Sequence, residues 1–180
     1  MKLHTTALAI AATLTVPGIA FAANTINFSG EVTDQTCSAV VDGNTDPTVI
    51  LDSVPVSALN GTVGMTTGET SFTLQLTGCA AASSDEHFTT LFQATNATTS
   101  GNLTNTAVSG ATGVALQLLD GPAGAPVNLA GGAAVEVGDI VLTNGQTSAS
   151  YDYAVQYISE DTTVTPGPVL GSATYTLRYE

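Results

Sequence analysis

The stretch Ala173-Thr-Tyr-Thr-Leu-Arg-Tyr-Glu180 alternates four apolar or aromatic positions, Ala173, Tyr175, Leu177 and Tyr179, with polar ones, and the sequence then stops. Successive side chains of a β-strand point to opposite faces, so this alternation reads as a half-buried strand. A strand at a sheet edge carries unpaired N–H and C=O groups that template pairing with another chain, and charge, proline or a bulge normally blunts it. Here the strand carries Arg178 and Glu180 as its charges, and no proline follows Pro168. Either this is the ordinary last strand of a sandwich, or its edge is meant to be paired from outside.

Working outward, the other end of the sequence reads as an export signal. Lys2 precedes an apolar stretch from Ala7 to Val16, Pro17-Gly18 breaks it, and Ala20-Phe21-Ala22 has the small-x-small form of a cleavage site. The apolar run is well short of the roughly 20 residues that span a bilayer. Residues 1–22 are therefore expected to be a signal peptide and residues 23–180 a single domain with enough chain for a core.

Beyond residue 22 the one strong cation is Arg178, and loss of Lys2 takes the formal charge of −13 one unit further negative. Nucleic acid and anionic membranes are poor partners for such a chain, since both require Lys/Arg patches. The acidic residues are dispersed and serve solubility. With 43% hydrophobic and 9% charged residues, the composition excludes a disordered chain.

Cys37 and Cys79 are the two cysteines, and in an exported chain they most simply form one disulfide. Closing that loop of roughly 43 residues is worth about 4 kcal/mol in the chain-entropy picture. Metal binding, the alternative, needs further ligands, and His87 is the one histidine after residue 22.

Abundant threonine, valine and glycine, without sustained 3.6-residue periodicity, make the chain all-β. Strands are expected over 25–41, 48–51, 71–77, 87–95, 113–119, 134–142, 148–158 and 170–179. Turn signals such as Asp42-Gly43-Asn44, Asn60-Gly61, Asp120-Gly121-Pro122, Asn144-Gly145 and Pro166-Gly167-Pro168 separate them. Many short strands and one disulfide suggest a two-sheet Greek-key sandwich of the immunoglobulin kind, although the tryptophan of true immunoglobulin domains is missing.

The inventory for chemistry is sparse. Ser83-Ser-Asp-Glu-His87 is contiguous at the start of a strand, where neighbours cannot converge on one reacting atom. Asp85-Glu86 and Glu160-Asp161 read as solvated carboxylates rather than a glycosidase pair. Loop carboxylates lack calcium-binding spacing, and the sequons at Asn60, Asn96 and Asn102 arise readily in a threonine-rich chain. No cofactor motif is found, and the chain is not expected to be an enzyme. What remains is assembly: Asn24-Thr-Ile-Asn-Phe28 places Ile26 and Phe28 on one face of an extended arm, with Gly30 at the same parity. An arm with alternating anchors suits a donated strand, and a partnerless last strand suits an acceptor.

These residues resemble the type 1 fimbrial subunit family, the pilins assembled by periplasmic chaperones and outer-membrane ushers. Phe28-Ser-Gly30-Glu-Val32 followed by Cys37 resembles the family's opening, and Phe72-Thr-Leu-Gln-Leu-Thr-Gly-Cys79 its second-cysteine strand. Gly113-Val-Ala-Leu-Gln-Leu-Leu-Asp120 with Gly124-Ala-Pro126 resembles the central strand and turn. Tyr179 stands as the penultimate aromatic, and Gly167 is fourteenth counting back from Glu180.

The resemblance implies an incomplete immunoglobulin-like sandwich lacking its final strand, completed by a donated one. A periplasmic chaperone would pair with Ala173 to Tyr179 and hold the Glu180 carboxylate with basic residues. At the usher, a neighbouring subunit's arm would replace the chaperone strand, building a fimbria at the cell surface that supports adhesion. The donor side would use Asn24, Ile26 and Phe28, and cleavage after Ala22 would leave a short arm, about residues 23–29. A shaft subunit fits better than a tip adhesin, which needs a second domain. The alternative is a stand-alone secreted β-sandwich that binds carbohydrate or protein.

Overall fold

Alternating inward hydrophobes build two antiparallel sheets in the computed structural model, which describes residues 36–81 and 83–180. The strands are β1 (Ser38–Val41), β2 (Thr66–Thr77), β3 (Glu86–Ala94), β4 (Leu103–Thr104), β5 (Val114–Leu119), β6 (Val135–Leu142), β7 (Ser148–Ser159) and β8 (Ala173–Tyr179). One sheet has the order β1-β2-β7-β5-β4 and the other β6-β3-β8. The chain crosses from one sheet to the other at five of the seven connections between these strands, as suits a Greek-key sandwich.

Inward residues follow the two-residue period. Phe72, Leu74 and Leu76 of β2, Phe88 and Phe92 of β3, Leu116 and Leu118 of β5, Ile140 and Leu142 of β6, and Tyr153 and Val155 of β7 form one buried cluster. Tyr153 is fully buried, stacked edge-on against Phe92 at 5.0 Å between centroids. Its hydroxyl donates to the Val137 carbonyl at 3.1 Å, and burial pushes its pKa up to about 12. The β3–β6 register slips between Phe88 and Thr90, opposite Gly138. That glycine has φ +74°, and a Cβ there would run into the Tyr153 hydroxyl. The bulge therefore makes room for the buried tyrosine.

The expected disulfide joins Cys37 to Cys79, at the start of β1 and just past β2. The expected strand at 48–51 is absent: Val49 and Leu51 pack against the core, but the segment joins no ladder among the described residues. Strand β2 begins five residues earlier than expected, through a register shift between Thr67 and Thr70. Strand β4, two residues long, was not foreseen. The signal peptide, the arm residues Asn24, Ile26 and Phe28, and residues 25–35 of the first expected strand lie outside the described residues.

Candidate functional site: an open sheet edge over an apolar groove

Strand β8 pairs on one side with β3, in an unbroken register from Phe88 opposite Tyr179 to Ala94 opposite Ala173. Its side chains alternate as expected: Ala173, Tyr175, Leu177 and Tyr179 are half-buried, while Thr174, Thr176 and Arg178 are exposed. The hydrogen-bond phase fixes what the other edge offers. Glu180 N donates to His87 O at 3.1 Å and Thr95 N donates to Ser172 O at 3.0 Å. In an antiparallel ladder hydrogen-bonded residues alternate with non-bonded ones, so the even-numbered residues of β8 turn their backbone groups to β3. The N–H and C=O groups of Ala173, Tyr175, Leu177 and Tyr179 face the open edge, and none meets a backbone partner among the described residues.

Beside this edge lies a groove of about 1070 Å³. Its floor is made by core residues including Phe72, Phe92, Leu116 and Val155, its walls by β8 on one side and by Ala39, Val41 and the segment around Val49 to Leu51 on the other. Ile50, 83% exposed, and Leu170, 56% exposed, sit on its rim. A smaller hollow of about 390 Å³ over the second apolar cluster of Leu59, Val114 and Val164 adjoins it, with Tyr157 and Val169 lining both.

Gly167 lines that smaller hollow, at the start of the approach to β8. A Cβ at this position would come within 2.5 Å of Ala111 N and 2.8 Å of the Gly110 carbonyl carbon. Ala111 N in turn donates to Pro168 O at 3.0 Å. The glycine lets two backbone segments touch, which sets where β8 begins.

At the far end, Tyr179 packs on Phe88 with centroids 4.8 Å apart, and Thr89 Oγ1 donates to the Glu180 side chain. Arg178 pairs with Glu136 across the sheet. His87 lies exposed on β3, and its Nδ1 is 2.8 Å from Asp139 Oδ1. The hydrogen bond and charge of Asp139 hold the imidazole pKa above 6.5, with Asp85 and Glu180 adding to the shift. Asp85 itself accepts from Asn144 N at 2.8 Å, so these groups tie loops and strands together rather than converge on a substrate. Among the described residues no group of three or more His, Cys, Asp or Glu side chains could hold a metal ion.

Glu160 was read as solvated and is not. It accepts from Thr98 Oγ1 at 2.9 Å, Ser100 Oγ at 3.0 Å and Asn102 Nδ2 at 2.7 Å, and Asn102 extends the network through Gln117 to Gln156. The sequon asparagine Asn102 is 4% exposed within it. No short-range sequence signal marks this network, because its members come from three separate segments. Asp161 beside it has its carboxyl held below the usual range, first by the backbone N–H groups of Thr163 and Thr162.

The sequence matches the family described as fimbrial protein over residues 26–180. The chain belongs to the fimbrial protein family. It is 35% identical over 159 residues to the F17 fimbrial protein of Escherichia coli, covering 86% of each chain. It is 34% identical over 158 residues to the major fimbrial subunit SMF-1 of Stenotrophomonas maltophilia strain K279a, covering 86% of this chain and 91% of that one. Among solved structures, the P pilus rod subunit PapA matches with TM-score 0.60 and 18% identity over 80% of this chain and 99% of that chain. The likeness to PapA is one of fold, an immunoglobulin-like sandwich. Members of the fimbrial family are structural subunits and not enzymes.

Proposed function

We propose that this fimbrial subunit polymerises by accepting, between β8 and the opposite groove wall, the N-terminal arm of a second copy, and that it forms the shaft of a chaperone–usher fimbria. One observation carries the reading: the backbone groups of β8 that meet no partner among the described residues and the apolar groove stand on the same edge, so an added strand gains main-chain hydrogen bonds and buried side chains together. In the periplasm a chaperone strand fills this groove, its basic residues engaging the Glu180 carboxylate. At the outer-membrane usher the arm around Asn24, Ile26 and Phe28 of the next subunit replaces it. Each subunit donates on one surface and accepts on another, a heterologous contact that does not close and so yields a fibre. The resulting cell-surface fimbria supports adhesion.

The test compares residues 23–180 with residues 34–180 by size-exclusion chromatography and light scattering. The longer chain is expected to form an open-ended series of oligomers, and the shorter one to stay monomeric and to capture a peptide of residues 23–33. Equal polymerisation of both, or a longer chain that stays monomeric and ignores the peptide, overturns the proposal.

A further inference from the structure

We infer that the turn at Asn144 and Gly145 is a self-modifying site: it loses ammonia through a succinimide and so unties the β6–β7 connection from residues 83–85, while Asn60 and Gly61 are shielded from the same reaction. Asparagine precedes glycine at these two positions. In the reaction the glycine nitrogen attacks the asparagine Cγ. An N–Cγ bond forms, the Cγ–Nδ2 bond breaks, and ammonia leaves with the proton from the glycine nitrogen. Water then opens the five-membered ring at either carbonyl, giving aspartate or, where the main chain is rerouted through Cγ, isoaspartate. Glycine suits the attack because no Cβ crowds its nitrogen.

All four residues are exposed, and both Gly61 and Gly145 have open space where a Cβ would stand, so access does not separate the two sites. Hydrogen bonds do. At Asn60 both reacting groups are held: its Oδ1 accepts from Val164 N at 2.6 Å, and Gly61 N donates to Thr162 O at 2.9 Å. Val164 and Leu59 are buried together in the second apolar cluster, which anchors these holds. The Val164 N–H polarises the Asn60 carbonyl, but the nucleophile stays engaged elsewhere. At Asn144 the turn closes through Gln146 N on Thr143 O at 3.0 Å. Neither Gly145 N nor Asn144 Oδ1 meets a partner among the described residues. What holds this side chain is its leaving nitrogen, Nδ2, which donates to Ser83 O at 2.6 Å.

The product undoes the contact that the asparagine makes. Besides the bond from Nδ2 to Ser83 O, Asn144 N donates to Asp85 Oδ1 at 2.8 Å. A carboxylate at position 144 has no hydrogen to give Ser83 and repels the Asp85 carboxylate beside it. Both bonds that tie the β6–β7 turn to the segment leading into β3 are thereby weakened, and the change is irreversible.

The test incubates residues 23–180, folded and in urea, in mildly alkaline buffer made with heavy-oxygen water, and follows each site by peptide mass mapping. In the folded chain conversion at Asn144 is expected to run at least about fivefold faster than at Asn60, the size of one further hydrogen bond to be broken. Isoaspartate should form at Asn144, and in urea the two rates should converge. Equal rates in the folded chain, faster conversion at Asn60, a ratio that persists in urea, or an Asn144 that stays intact overturns the inference. Asn144→Asp installs one product directly, and amide exchange at residue 144 should then quicken at least about fivefold. Unchanged exchange overturns the untying. Should that variant not fold, the deamidated wild-type fraction, separated by anion exchange, gives the same reading.

Discussion

Gly167 and His87 show how single residues fix the frame around the proposed acceptor edge. At Gly167 the backbones of Gly110 and Ala111 approach so closely that a methyl group has no space. Gly167→Ala is expected to cost about 1–3 kcal/mol as the two segments separate, read by urea denaturation. An unchanged midpoint would mean that the contact does not position β8. His87 contributes through charge. Its folded pKa stands above the unfolded value of 6.5 because Asp139 accepts its hydrogen bond and attracts its positive form. The resulting stabilisation is fully present below pH 6.5 and is lost as pH rises through the raised folded value. Asp85 and Glu180 are the other charged groups favouring the protonated ring. A proton-NMR titration should place His87 above 6.5, and His87→Gln should flatten the stability profile across that window. An unaltered profile in the variant would assign the dependence elsewhere.

Among the elements, β8 was the most legible and 48–51 the least. The alternation of 173–179 encodes which face is buried, and the structure keeps that pattern residue by residue. In Thr48-Val-Ile-Leu51 the same kind of alternation also reports burial correctly, with Val49 and Leu51 against the core and Ile50 outward. Alternation says nothing of who pairs with the backbone, and this segment has no ladder partner among the described residues. Strand β4, with two residues, is too short to show a period. The first half of β2, Thr-Thr-Gly-Glu-Thr70, has no apolar face to reveal it and is held through pairing with β7. Tyr179 anchors the end of β8 on Phe88. Tyr179→Ala is expected to cost about 2 kcal/mol of folding stability through lost aromatic burial and to weaken peptide capture at this edge. A loss below about 0.5 kcal/mol, the size of an ordinary surface change, would show that the stack does not hold the strand.

At the scale of the whole molecule, the sandwich is defined as much by the edge its second sheet leaves uncovered among the described residues as by its core. The three strands β6, β3 and β8 face a five-stranded sheet, and the groove lies where the smaller sheet ends. The two-sheet class, the Cys37–Cys79 bridge and the inward faces of the long strands were readable because each rests on short-range period or on residue type. The groove's far wall and the Glu160 network depend on contacts between distant segments, which no local pattern carries. In the proposed polymer, the chain's near-absence of cations leaves main-chain pairing and apolar burial, rather than charge complementarity, to hold copies together.

Amide hydrogen exchange on β8, compared between the isolated subunit and the polymer, tests that account most directly. In the isolated subunit the amides of Ala173, Tyr175, Leu177 and Tyr179 should exchange fast and those of Thr174, Thr176 and Arg178 slowly. In the polymer all seven should be protected, the first four by the added strand. Persistently fast exchange at those four amides in the polymer would contradict strand addition at this edge.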